Sequence, residues 1–367
     1  MTTAQHHLLS LSLIPKIGPV AAKQLIKHFG SAEEIFKTPK GKLAKISGIG
    51  PKLSNAIHSN QVLKQAEQII KDSERHQVQI HYFTDASYPA RLKSVGDAPI
   101  VLYTKGNIDL NPKKTLGVVG TRRATRYGLQ TTTTILTEAT PSHPTVISGL
   151  AFGIDVRAHE EALKQDLPTI AVLACGLDQV YPSSHRHTAQ QLLQNGGIVS
   201  EYPVGVKADP RHFPARNRII AALSDAVIVV EAAKTGGALI TANVAYSYDR
   251  PVFAVPGELG KKSAEGCNLL IRNMKGAIYT HFDDVVRELN WDLAKESRQQ
   301  ELFTELASLK GMEKRIMEVL MKNHQQMHID ELAYQTEFTQ TDLAGLLLQL
   351  EFKGLIKPLP GKEFKVV

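Results

Sequence analysis

Seven apolar runs recur through the middle of the chain: PIVLYT, LGVVG, TVISG, TIAVLA, GIVSEY, DAVIVVEA and PVFAVPG. Segments with helical periodicity lie between most of them. The runs are rich in Val and Ile and rarely alternate with polar residues. Alternation would mark strands with one wet face. Its absence predicts strands buried on both faces, and so a mostly parallel sheet covered by helices. Residues 81–290 are therefore expected to form an α/β, doubly wound, Rossmann-like domain.

The pattern changes on either side. Before residue 80, LIPKIGPVAAKQLIKHFG and LAKISGIGPKLSNAIHS each set a Gly-containing loop ahead of apolar residues at helical spacing. They predict an N-terminal helical domain, 1–80, of helix-hairpin-helix or SAM-like type. Gly48 and Gly50 permit a tight turn, and the helix that follows presents free N–H groups, which suit a phosphate. Lys16, Lys45 and Lys52 lie beside these loops. The module is either a packing unit or a secondary DNA contact. A polar stretch, 291–310, reads as a linker. Residues 311–367 then give three amphipathic helices and a terminal hairpin, the pattern of a winged helix. Its third helix, about 341–353, carries Asp342 and Glu351 with Lys353 alone to offset them. A DNA-reading helix usually carries several Arg, Lys or Asn, so protein contact or a structural role is expected there.

In an open parallel sheet, ligands bind beyond the C-terminal ends of the strands. The five loops leaving those ends are GTRRATRYG, GLAFGIDVRAH, CGLDQVYPSSH, YPVGVKADPRHFPARNRII and AKTGGALITANVA. All hold Gly or Pro together with polar residues, which points to one site. The first begins like a dinucleotide fingerprint at Gly117 and Gly120, then offers Arg122, Arg123 and Arg126 where glycines would continue. In FPARNRII, Arg216, Asn217 and Arg218 are expected near a helix start, where cations are disfavoured. Either an anion binds there, or the arginines pair with acids such as Glu201 or Glu231. Phe213 is either core or an exposed ring that stacks on a base. Gly236 and Gly237 lead into a helix whose first N–H groups can cradle an oxyanion. Gly149 and Gly153 bend a similar loop, and Asp155 is a plausible N-cap.

Charge adds a direction. The formal net charge is +7. Residues 1–80 hold eleven Lys and Arg against five Asp and Glu, whereas 311–367 hold seven against eight. The front of the chain is the better surface for a polyanion. No run approaches about 20 apolar residues, so no membrane span is expected. The opening MTTAQHHLLSLSLIPKIG has no basic n-region or small-residue cleavage site, and Cys175 and Cys267 lie far apart. The cytoplasm is the expected compartment, with no disulfide framework. There is no GxxxxGK[ST], HExxH or EF-hand loop. Asp155, Asp178, Glu201 and Glu231 would hold a metal, as in a nuclease, only if the fold brought them together. Phosphate cradles and cations without a nucleophile or base favour binding over catalysis, with no cofactor and no metal.

Taken in order, VVGTRRATRYG, VISGLAFGIDVRAHEEAL, TIAVLACGLDQVYP, GGIVSEYPVG, FPARNRIIAALSDAVIVVEAAKTGGALITANVA, RPVFAVPG and GCNLLIRNMKGAIY resemble the DNA-processing protein A (DprA, also called Smf) family over about 81–285. The resemblance implies an extended Rossmann-like fold that binds single-stranded DNA and has no established catalytic activity. It also implies a homodimer through the Rossmann domain, with 266–279 contributing. The family loads RecA recombinase onto incoming DNA in natural transformation. Its Gly-Ser/Thr-Arg phosphate pocket falls on Gly120, Thr121 and Arg122. Its Phe-Pro-x-Arg-Asn-Arg segment falls on Phe213–Arg218, and its Gly-rich turn on Gly236 and Gly237. That turn more often begins with Ser than with Thr235. With the flanking loop residues, the expected DNA-contacting set also takes in Arg123, Gly149, Gly153, Arg211 and Lys234, besides Arg216, Asn217 and Arg218. Two other readings compete. One is a nucleotide-processing enzyme resembling phosphoribohydrolases, with Glu231 ahead of TGG. The other is a duplex-DNA regulator acting through the winged helix.

Overall fold

The computed structural model describes residues 2–46, 48–291, 309, 311–322, 326–353, 355–359 and 362–366. The N-terminal region is helical: α1 (Thr3–Ser12), α2 (Pro19–Phe29), α3 (Ala32–Lys37), α4 (Lys40–Leu43), α5 (Pro51–Ile57) and α6 (Asn60–Arg75). The two hairpin units share one local design. Gly18 and Gly50 are N-caps, each followed by a proline in the first helical turn, where the missing N–H costs nothing. Two residues before each cap the backbone turns left-handed, at Lys16 (φ 71°) and at Gly48 (φ 86°). Gly48 adopts that conformation freely. Lys16 does so at a cost of about 1 kcal/mol, which is why only the second unit has the full sequence pattern.

The main sheet holds nine strands among the described residues: β1 (Gln79–Tyr82), β2 (Val101–Asn107), β3 (Thr115–Val119), β4 (Thr145–Ser148), β5 (Thr169–Val172), β6 (Gly196–Ser200), β7 (Ala226–Val229), β8 (Val252–Ala254) and β9 (Ala277–Ile278). Their order is β1-β2-β6-β5-β4-β3-β7-β8-β9. The strands from β6 through β9 in that order run parallel, while β2 pairs antiparallel with β6 and β1 with β2. Strands β3 to β8 are buried along their whole length, as their unbroken apolar patterns require. The sequence pattern shows neither β1 nor β9, one on each edge and short or half exposed.

Helices complete both faces. The short α7 (Ala90–Lys93) precedes β2, and α8 (Arg126–Ala139), α9 (Ile154–Lys164) and α10 (Arg186–Leu192) follow β3, β4 and β5. Next come α11 (His212–Leu223), α12 (Gly237–Ser247), α13 (Glu265–Arg272) and α14 (Phe282–Glu288). Side chains of α8, α9 and α14 pack with Leu116, Val118 and Val146 on one face. Those of α7, α11, α12 and α13 pack with Val119, Ile147 and Val172 on the other. Strand order reverses at β3, with β4 on one side and β7 on the other. A crevice therefore opens at their C-terminal ends.

The expected domain boundary at residue 80 falls inside β1. Leu8, Leu11, Ile35, Ile57 and Ile69 of the helical region share a core with Tyr103, Leu173 and Ile198 of the sheet. Met1–Trp291 is accordingly one compact unit, and Asp292–Val367 is the other. Of the expected linker, 291–310, only residues 291 and 309 lie within the described residues.

In the second unit, helices Gly311–Lys322, Ile329–Thr336 and Gln340–Phe352 pack with a sheet ordered β10 (Gln326–His328), β12 (Glu363–Val366), β11 (Ile356–Leu359), a winged helix. Asp342 accepts a hydrogen bond from the Thr339 hydroxyl at 2.6 Å, and Lys353 reaches Glu313 at 2.7 Å. Among the described residues no helix is long and apolar enough to cross a membrane.

A buried ion pair joins α11 to the rest of the first unit. Arg218 donates to the carbonyl of Asp97 at 2.6 Å and pairs with Glu201. Both side chains border a cavity of about 420 Å³ together with Ile17, Gly18 and Pro19 of the first hairpin loop. Burial pushes the Glu201 carboxyl upward and Arg218 opposes it. Arg218→Met should cost about 3 kcal/mol at neutral pH, read by chemical denaturation, because it leaves Glu201 buried without its cation. The deficit should shrink on acidification through the raised Glu201 pKa, since protonation removes the stranded charge. The double variant Glu201→Gln/Arg218→Met should recover most of the loss. A single variant as stable as the wild type would show that the pair is dispensable.

Candidate nucleic-acid site

Three helix starts meet at the crevice, and one of the protein's own carboxylates stands at each of two of them. The first is α8. Its N-cap, Thr125, accepts from Gly128 N at 3.2 Å. Glu231, buried at the end of β7, accepts from the Thr125 backbone N–H and hydroxyl, both at 2.9 Å. An anion thus already sits where a Rossmann protein would seat a pyrophosphate. Gly128 leaves room for it, since a Cβ there would lie 2.5 Å from Glu231 Oε2. Both Glu231 oxygens are engaged, which leaves the phosphoribohydrolase-like reading without a free base at that position.

The second start is α9. Gly153 (φ 77°), not Asp155, is its N-cap. Asp155 stands one position inside the first turn and accepts from the backbone N–H groups of Ala151 and Gly120. Desolvation pushes its pKa upward, against the pull of Arg216 and these hydrogen bonds. The loops are stapled tightly here. Thr121 N donates to Glu231 O at 2.7 Å, and Ile154 N donates to Thr121 O at 3.2 Å. A Cβ on Gly153 would come within 2.3 Å of that same Thr121 oxygen.

The third start, α12, has no side-chain cap. In front of it lies a cavity of about 550 Å³ walled by Gly120, Thr121, Arg122, Phe213, Arg216, Asn217, and the turn from Thr235 to Gly237. Arg122 is exposed, and its guanidinium stands over the Phe213 ring, 5.1 Å from the centroid. Tyr181 also borders the cavity, half exposed, with its ring 5.5 Å from that of Phe213.

Arg216 braces this arrangement from behind. It is only 3% exposed. Its Nη1 donates to the carbonyl of Gly149 at 2.6 Å and to that of Val172, and its Nε donates to Asn217 Oδ1 at 3.2 Å. Asn217 Nδ2 in turn donates to Gly237 O at 3.1 Å. This hydrogen-bonded chain runs from the exits of β4 and β5 to the start of α12. Desolvation lowers the Arg216 pKa and the Asp155 carboxylate raises it. Gly149 is the gap that admits both groups, since a Cβ there would lie within 2.7 Å of each of them. The cavity therefore combines a backbone cradle, an exposed cation, a buried cation and two rings. Among the described residues no three His, Cys, Asp or Glu side chains are grouped to hold a metal.

The model of DNA recombination-mediator protein A matches residues 79–290. The chain belongs to the DprA/Smf family. A helix-hairpin-helix motif matches 7–70, and the DprA winged helix domain matches 304–362. Protein Smf of Synechocystis is 32% identical across 98% of both chains. The crystal structure of DNA processing protein A from Streptococcus pneumoniae superposes with a TM-score of 0.66 at 31% identity, covering 78% of this chain and 98% of that one. The Helicobacter pylori protein, whose structure describes a single-stranded DNA binding mode, gives a TM-score of 0.53 at 31% identity, covering 58% and 95%.

Nine of the expected DNA-contacting residues border the cavity, namely Gly120, Thr121, Arg122, Phe213, Arg216, Asn217, Thr235, Gly236 and Gly237, and Asp155 does as well. Gly149 and Gly153 stand behind its wall as spacers. Arg123 and Lys234 are exposed outside it. Arg211 is also outside, paired with Asp209 at 2.8 Å. Arg218 belongs to the α2-facing cavity instead, because residues two apart on a helix point to opposite sides. The helix also begins earlier than expected, at His212, so Arg216–Arg218 lie in its second turn and meet no N-terminal penalty. Lys16, Lys45, Gly48, Gly50 and Lys52 do not border the cavity. Tyr181 is the aromatic lining residue that sequence reasoning missed, and its only signal is its place in the loop after β5.

Gly153→Ala should lower unfolding stability by more than about 1 kcal/mol, since it adds backbone strain at positive φ to a clash with Thr121. An unchanged denaturation midpoint would mean that this loop packs more loosely than its geometry states.

Proposed function

We propose that this cavity holds the backbone of single-stranded DNA, and that the protein is a binding and delivery factor rather than an enzyme. The observation that carries the reading is the Arg122 guanidinium over Phe213, in front of α12, the one start of the three with neither a side-chain cap nor a carboxylate in its first turn. A phosphate placed there meets backbone N–H groups, the Thr121 and Thr235 hydroxyls and Arg122 at once. The adjacent base meets the faces of Phe213 and Tyr181. Aromatic stacking of this kind contributes about 1–3 kcal/mol per base without demanding a sequence. Bases in a duplex are already stacked on their neighbours, so the site selects strands whose bases are free. The single-strand binding of the Helicobacter pylori relative supports the same reading.

The wider role follows the family resemblance: a cytoplasmic homodimer, joined through its Rossmann domain, that protects incoming DNA and places RecA recombinase on it during transformation or another recombination route. The winged helix fits a protein-contacting role better than a duplex-reading one. The outward side of helix Gln340–Phe352 offers no Lys or Arg, and Lys353 just beyond it is tied to Glu313.

Arg122→Ala should weaken binding to single-stranded DNA about five- to tenfold in gel-shift titration while leaving thermal unfolding unchanged. The slope of log affinity against log salt should flatten by about 0.7, as expected when a single strand has one phosphate fewer neutralised by the protein. Equal binding by variant and wild type would overturn the assignment of the cavity.

A further inference from the structure

We propose that a second cavity, on the far side of the loop between β3 and α8, receives a base of the same strand. The proposal rests on reading the first cavity as a single-strand site. The second measures about 640 Å³ and lies at the C-terminal ends of β7 and β8. Val230, Val255, Pro256 and Cys267 give it apolar walls. Tyr127 stands at its rim, 54% exposed, with its hydroxyl donating to Pro256 O at 3.1 Å. That hydrogen bond fixes an aromatic face that no ring among the described residues covers. Arg126 borders the same cavity, exposed and without an ion-pair partner among the described residues.

The two cavities are neighbours by construction. Val230 and Glu231 border the second, and the next two residues, Ala232 and Ala233, border the first. The Thr125–Glu231 lock stands between them. The loop over this lock carries Arg122, Arg123 and Arg126, all exposed. An anionic chain that crosses the loop therefore meets a cation at each step, and an aromatic face beside a cavity at both ends. Three exposed cations between two aromatic faces match a chain that alternates phosphates with flat bases. Ser263 supplies an acceptor for the N–H edge of a base.

The test uses the full chain and fluorescence anisotropy, with an oligothymidine of about twenty nucleotides and an abasic strand of equal length. Ser263→Trp fills the cavity without removing a charge, and Tyr127→Ala removes the ring. Each should weaken oligothymidine binding about five- to tenfold and leave the abasic strand within about twofold. Tyr127→Ala carries the test alone if Ser263→Trp lowers the thermal unfolding midpoint. Unchanged oligothymidine binding overturns the proposal, and so does equal weakening for both strands. Arg122→Ala, run alongside, reports on the first cavity. If it leaves both strands bound as before, the parent reading fails. If it weakens both while Tyr127→Ala changes neither, only the second cavity fails.

Discussion

The site depends on one buried cation. Arg216 sits behind the crevice with almost no exposure, where an unpaired charge would cost several kcal/mol. Three compensations hold it there. The carbonyls of Gly149 and Val172 accept from one guanidinium nitrogen, Asn217 accepts from another, and the Asp155 carboxylate opposes its charge. Each partner belongs to a different segment of the crevice, namely the exits of β4 and β5, the start of α9, and α11 itself. Asn217 then passes the constraint to Gly237 and the start of α12. Fixing one guanidinium fixes the relative positions of these loops, so the cradle is formed before any ligand arrives.

The same electrostatic logic decides which helix start receives an anion. Three helices aim their positive ends at the crevice. Glu231 closes α8 and Asp155 stands in the first turn of α9, and each is held by backbone or hydroxyl donors. Of these three, α12 has no carboxylate in its first turn and no side-chain cap. The arginines of the first loop follow from this. Where the helix end is already neutralised, an incoming phosphate needs another cation, and Arg122 projects from the loop to supply it. A dinucleotide fingerprint with its row of glycines would serve an open α8. This chain keeps Gly120 and Gly128 for close packing against Ile154 and Glu231 instead.

Much of this was legible in the sequence, and the limits have physical causes. The seven apolar runs became strands, six of them in the parallel part of the sheet, where a buried strand has no polar face to break its pattern. The convergence of the loops followed from the parallel order. The fates of Arg216 and Arg218 were not legible, because both occur in one arginine-rich motif and only the phase of the helix separates them. That phase depends on where α11 begins. His212-Phe213-Pro214 reads as loop, yet a proline in the first turn leaves the helix intact. That the regions on either side of residue 80 share one core was not legible for a related reason. Helical periodicity marks a buried face but not what buries it, and here the sheet does.

Helix α11 is consequently a shared wall. One side carries Phe213, Arg216 and Asn217 into the crevice. The other carries Ala215 and Arg218 into the cavity beside the first hairpin loop, where Glu201 holds Arg218. The two sides differ in what they do with positive charge. On the hairpin side the cation is neutralised by a buried carboxylate and serves cohesion. On the crevice side Asp155 offsets Arg216, and Arg122 remains exposed with no acidic partner among the described residues. The positive charge presented at the crevice is therefore set by the pairing of the basic residues more than by their number. The overall charge of +7 says little about where that charge is free.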